Sequence, residues 1–146
     1  MQLTEHFSDR ELGVVGCETR LVANATYLCM SILEAIRAKF GPVRVHDGYR
    51  DPGHNARVGG KLTSYHLFED GRAAADVDAP AVSIQELFDW LRLESGLLFD
   101  KIIMEHDKQG EPECVHVQVD LMNSPRRLAY VGETGDGKDY TPVEVK

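Results

Sequence analysis

The chain is expected to fold as an α+β domain, with helices packed on a small, mainly antiparallel sheet. Three observations predict it. Leu21, Ala25, Leu28, Ile32, Ile36 and Phe40 recur at helical spacing and form one apolar face. Short strand-like runs follow at Val43–His46, Ala74–Asp78, Lys101–Glu105 and Val115–Val119. Near the C-terminus, Asp136-Gly137 is a hairpin signal between two further runs, Leu128–Val131 and Tyr140–Val143.

The elements can be justified in order. Ser8-Asp9-Arg10-Glu11 has the form of a capping box and opens a short helix. The main helix follows and stops at Gly41-Pro42, a glycine cap followed by a residue that cannot continue a helix. After the first strand, Asp47 to Gly53 and Val58 to Thr63 read as turn-rich loops. Ala74–Asp78 is a strand ended by Pro80. Ser83-Ile84-Gln85-Glu86 is a second capping box; it starts a helix with Ile84, Leu87, Phe88 and Leu91 on one face, ending near Gly96.

The length of 146 residues suits a single domain spanning residues 1–146. An apolar share of 42% against 27% charged residues excludes a disordered chain. A net charge of −8 argues against partners met through phosphates, so neither nucleic acid nor a membrane surface is expected. No apolar run suggests a membrane span, and the N-terminus lacks the basic and apolar regions of a signal peptide. The expectation is synthesis in the cytoplasm, with any action outside the cell needing another route. Cys17, Cys29 and Cys114 have no paired spacing and read as reduced thiols. A monomer is the expected state.

Chemistry concentrates in two segments, Thr63 to Asp78 and Glu113 to His116. The first holds His66 and Asp76 around a Gly/Ala-rich turn; the second holds Glu113 and His116. Two imidazoles and a carboxylate are the ligand set of a catalytic zinc with a position left open for water. A further carboxylate beside that water can act as general base. Convergence of the four side chains would make the protein a metallohydrolase.

Gly48-Tyr49-Arg50, Asn55, Val58-Gly59-Gly60, Ser64-x-His66, Gly71-x-Ala73, Asp76 and Glu113-x-x-His116 occur in one order. That order resembles the zinc D-alanyl-D-alanine carboxypeptidases and the phage L-alanyl-D-glutamate endolysins, over roughly Phe7 to Val119. The resemblance implies the small α+β fold shared with the hedgehog signalling domain. It also implies a zinc-dependent peptidase cutting peptidoglycan stem peptides at a D,D- or L,D-type bond, in the manner of a phage or prophage endolysin. Zn2+ would be held by His66, Asp76 and His116; Glu113 would be the base, and Arg50 would bind substrate and stabilise charge at the reacting carbonyl. Such a product would reach the cell wall after release or as part of a virion.

Three departures accompany the resemblance. The segment between His66 and Asp76 is longer, with Phe68-Glu69-Asp70 inserted and an extra alanine. Asp47 stands where the family often has Ser, and the Trp often seen before the last His is missing. Because Phe68-Glu69-Asp70 leaves one ligand and returns to the next, it is expected to line the cleft rim and narrow substrate choice.

Each residue has a plainer alternative. Asp76 and Asp78 share a strand face, so Asp78 competes with Asp76 as ligand. His116 and Gln118 alternate with Val115, Val117 and Val119, which turns them away from the core. Strict alternation puts Glu113 on the valine face; Gly110 and Pro112 suggest a strand barely begun, which would let Glu113 swing over the metal. Glu105 and Glu111 are the alternatives for the base. Ser64 either binds substrate or holds its turn. Cys114 is a soft ligand or a small packed residue. His46, His54 and His106 read as structural or solvated. The rival from another class is a virion or wall-binding protein that keeps the fold without efficient chemistry. A two-His-one-carboxylate iron oxygenase is disfavoured, because His66 and Asp76 lack its close spacing.

Overall fold

The structure is a computed structural model that describes residues 1–133 and 139–146. Among the described residues, six strands form one sheet in the order β1-β2-β4-β3-β5-β6. They are β1 (Arg44–Asp47), β2 (Arg72–Asp78), β3 (Lys101–His106), β4 (Pro112–Asp120), β5 (Leu128–Glu133) and β6 (Thr141–Val143). All neighbours pair antiparallel except β3 with β5, which run parallel. The expected α+β class with a mainly antiparallel sheet is what the chain adopts. The Asp136-Gly137 turn lies outside the described residues.

The helices follow their sequence signals closely at their starts. In α1 (Asp9–Leu12) Ser8 and Glu11 exchange both bonds of a capping box, and Gly13 ends the turn at φ 74°. Ser83 accepts from the Glu86 amide at the head of α5 (Ile84–Leu93). The long helix is not uniform. It runs as α2 (Thr19–Leu28), a π-helical turn at Cys29–Leu33, and α3 (Glu34–Phe40). In that region the Thr26 and Ser31 hydroxyls donate back to the Val22 and Tyr27 carbonyls. By length and composition Thr19–Phe40 could cross a membrane, contrary to the expectation from sequence. Here its apolar face, with Leu21, Ala25, Leu28, Ile32 and Ile36, packs into the core instead.

One helix was not expected. Pro52–Arg57 forms α4, with the Asp51 side chain accepting from the His54 amide and Pro at the first helical position. A turn-rich Asp-Pro-Gly string also fits an N-cap with an N1 proline, so local composition alone read it as loop.

Strand alternation sorts the sheet into two faces. Ala73, Ala75 and Val77 of β2, Ile102 and Met104 of β3, and Val115, Val117 and Val119 of β4 join the helices in one hydrophobic cluster. The intervening residues, Asp76, Asp78, Ile103, Glu105, His116 and Gln118, occupy the opposite face. Burial of these core side chains is the main stabilising contribution, each large one worth about 1.5–3 kcal/mol.

The Phe68-Glu69-Asp70 insertion corrects an expectation. Phe68 is fully buried in the core, and its carbonyl accepts from Asn24 Nδ2 at 2.8 Å. Glu69 pairs with Arg20 at 2.8 Å. The segment therefore docks on α2 and its carboxylates do not line the cleft; an aromatic side chain in the insertion gains more by entering the core than by edging a polar cleft. Phe68→Ala is expected to destabilise the fold by about 3–5 kcal/mol in urea unfolding. Glu69→Ala, which removes an exposed pair, should cost under about 1 kcal/mol. Equal small effects from both would place Phe68 outside the core.

Candidate functional site

On the face turned away from the core lies a cleft of about 470 Å³. His66, Asp76, Glu105, His116 and Gln118 line it, with Arg50, Lys61, Ser64, Lys101 and Tyr140 around them. A groove of similar volume, about 460 Å³, lies over Phe40 and Trp90. Among the described residues it holds no cluster of metal-ligating side chains.

Asp76 reaches the cleft because β2 pairs with β4 so that Asp76 stands opposite His116. His116 Nδ1 lies 3.0 Å from Asp76 Oδ1. His66 comes from a short 3-10 turn, Tyr65–Leu67, whose first amide bond is capped by Ser64 Oγ. His66 Nε2 lies 3.6 Å from the same Asp76 oxygen. One ligand atom from each residue falls within 4.8 Å of the others, and all three side chains are buried. Asp78 is excluded from this group: Arg44 grips both its oxygens and His46 Nε2 sits 2.6 Å from one of them.

The donor set fits a divalent metal on chemical grounds. His66 Nδ1 donates to the Gly48 carbonyl at 2.8 Å, which leaves the Nε2 lone pair facing Asp76. Gly48 can sit there because it has no side chain; a Cβ would meet the Leu12 carbonyl oxygen at 2.7 Å. His116 is oriented by a longer chain. Arg126 clamps the Asp100 carboxylate at 2.8 and 2.7 Å. Gln118 Nε2 donates to Asp100 at 2.7 Å, so its Oε1 faces His116 Nε2 at 2.8 Å. A carboxylate only accepts; the amide must therefore point its NH2 at Asp100 and His116 must donate from Nε2, so that in the neutral ring Nδ1 carries the lone pair toward Asp76.

Electrostatics agrees with such a site. Burial opposes the charge on Asp76, but the His116 and His66 rings against it outweigh burial and hold the carboxyl well below its ordinary value. For Glu105 the sign is reversed: burial and the nearby Asp76 charge push its carboxyl up. A carboxyl raised by its surroundings in a cleft is a candidate for proton transfer.

The structure places Glu113 differently from the expectation. Pro112 already belongs to β4, so Glu113 is a strand residue and not a turn residue free to swing. It is exposed and does not line the cleft. Glu105 does line it, 7% exposed, and both its oxygens are held: Tyr140 Oη donates to Oε1 at 3.2 Å and Cys114 Sγ to Oε2 at 3.7 Å. The signal for Glu105 was present in β3, where Ile102 and Met104 face the core and so turn Glu105 to the cleft. Cys114 is buried, and burial pushes its thiol far up, so it sits there as a protonated donor. Glu111 is exposed and also does not line the cleft.

Arg50 stands at the cleft wall. Its amide donates to the His66 carbonyl at 2.7 Å, and its Nε donates to Asp47 Oδ2 at 2.7 Å. Asp47, the departure from the usual Ser, thus aims the guanidinium. Ser64 both lines the cleft and caps the His66 turn.

The Gln118 chain has a measurable consequence. Gln118→Leu removes the acceptor that sets the His116 tautomer, and the variant is expected to bind Zn2+ about 10–100-fold more weakly than the parent. Calorimetric titration of the metal-free protein reads this directly; unchanged affinity would show that the tautomer is set elsewhere.

Comparison with known families supplies independent support. A search of curated proteins returned no match. The family model described as Peptidase M15 matches residues 3–109. That span holds Arg50, Ser64, His66, Asp76 and Glu105, and the sheet register then adds His116 from β4. With most of its length matched and an α+β sheet of the matching kind, the chain belongs to the Peptidase M15 family.

Proposed function

We propose that this peptidase is zinc-dependent and cleaves peptidoglycan stem peptides, as an endolysin-like enzyme that acts on the cell wall after leaving the cytoplasm. The observation that carries the reading is the buried convergence of His66 Nε2, Asp76 Oδ1 and His116 Nδ1 beside Glu105 in one cleft. Two imidazoles and one carboxylate suit zinc and leave a position open to the cleft.

When bound there, zinc would supply Lewis acidity toward water and the peptide carbonyl. The chain's own residues do the rest. Glu105 takes the proton of the attacking water on a carboxylate oxygen and passes it to the leaving amine. Tyr140 and Cys114 hold that carboxylate from both sides, so little reorientation is needed. Arg50, aimed by Asp47, meets a substrate carboxylate or the developing charge on the carbonyl oxygen. Ser64 and the Gly48 carbonyl keep His66 in place.

Metal analysis of the purified protein should find about one zinc per chain, lost in His66→Ala and in His116→Ala. Glu105→Gln keeps the shape but cannot accept a proton; it should retain zinc while hydrolysis of muropeptides, followed by mass spectrometry, falls by about 100-fold or more. Glu113→Gln should stay near the parental rate. The opposite pattern in the two Glu variants would return the base role to Glu113. A zinc-loaded parent with no cleaved bond would point to a wall-binding protein that keeps the fold.

A further inference from the structure

One end of the cleft carries a charge that the proposed chemistry does not use. Lys101 opens β3 on the same face as Ile103 and Glu105, and it lines the cleft. In the register of the sheet Lys101 stands opposite Gln118 while Ile103 stands opposite His116. Lys101 is therefore two strand positions, about 7 Å, beyond the metal ligand along β3, and Glu105 is as far on the other side. The cleft runs from the proton-accepting carboxylate, past the His66-Asp76-His116 cluster, to an ammonium.

That ammonium is half-buried. Among the described residues no ion pair joins it, and its Nζ lies 5.9 Å from the Tyr130 ring centroid. The carboxylates nearby are occupied. Asp100 is held by the Arg126 fork and by Gln118. Asp120 accepts from Tyr65 and Asn123 and pairs with Arg72. Lys61 adds a second cation to the cleft lining. Burial, reinforced by the Arg126 and Lys61 charges, pushes the Lys101 ammonium below its ordinary value despite Asp100. A chain of net charge −8 has thus gathered two lysines at one end of its cleft. A half-buried cation is costly without a counter-charge, and the cost is relieved when the ligand brings one.

We infer that Lys101, assisted by Lys61, is a substrate-recognition site for a peptide carboxylate, separate from Arg50, which selects stem peptides whose acidic groups are free over those in which they are amidated. This rests on the proposed peptidase reading and adds to it a specificity residue. Lys101 does not touch the reacting bond. The ammonium fixes the far end of the peptide and so sets which bond lies over the metal cluster.

The test uses one synthetic stem peptide in two forms, with every carboxylate free or converted to carboxamide. Binding is measured by calorimetry to zinc-loaded Glu105→Gln protein, and KM is measured on the parent. The free-acid form should bind better, and adding Lys101→Met, which keeps most of the aliphatic stem, should shrink that preference by about ten-fold with zinc content and melting temperature unchanged. Lys101→Arg should restore part of it. Preference undiminished in Lys101→Met would overturn the inference even if the parent cleaves the peptide. If the parent cleaves neither form while the binding preference is present and depends on Lys101, the recognition site stands and the peptidase reading fails.

Discussion

The register of β2 on β4 is the constraint from which the site follows. Asp76 lies opposite His116, and on either side Ala75 meets Val117 and Val77 meets Val115. The small and branched residues of these strands face the helices, so Asp76 and His116 can only face the cleft. A slip of one residue would drive Asp76 and His116 into the core and bring valines to the surface. The apolar pattern that stabilises the fold is therefore the same pattern that keeps two site residues together. Neither strand can be repacked without moving the chemistry.

His66 lacks that protection, because it lies on a turn. Its position is set by bonds from other elements: the Gly48 carbonyl on its ring, the Arg50 amide on its own carbonyl, and Ser64 on its amide. The inserted Phe68 then pins the far end of the turn, contacting Tyr49 with ring centroids 5.5 Å apart while its carbonyl binds Asn24. Phe68 and Asp70 each adopt φ 55°, a left-handed conformation that costs a non-glycine residue energy; at Phe68 it is held by the core contact. The longer spacing between His66 and Asp76 is absorbed by a loop that turns toward α2. The cleft keeps its shape because the extra residues leave it.

Much of this was legible in the sequence. The apolar periodicity of Leu21 to Phe40, the capping boxes at Ser8 and Ser83, and the alternation in Val115–Val119 each report local physics that the fold leaves in force. The trio His66, Asp76 and His116, which the fold brings together, was nominated by its order along the chain. The carboxylate beside that trio was harder to nominate. Glu113 was favoured by its place in a motif, but where β4 begins depends on pairing with β3, and pairing is a long-range property. The same holds for Asp76 against Asp78: alternation puts both on one face, and only Arg44 and His46 on the neighbouring strand show which one is already engaged. The Phe68 insertion was misjudged because the chain shows that a loop exists and not which surface it will bury.

The region around β5 and Tyr140 shows how far beyond the matched segment the cleft extends. In the parallel pairing of β3 with β5, Gly132 stands beside Glu105. A Cβ on Gly132 would fall 2.0 Å from the Tyr140 ring, so only glycine leaves room for that ring to lie across β5. The ring's hydroxyl then reaches Glu105, and burial together with the Glu105 charge pushes the phenol well up, which favours its protonated, donating form. A carboxylate raised by burial and by Asp76 would otherwise have many orientations in an open cleft. Held by Tyr140 on one oxygen and Cys114 on the other, it has few. The glycine, the tyrosine and the cysteine lie beyond residue 109, where the family match ends. This part of the cleft is therefore built by strand pairing, from residues that carry no motif of their own.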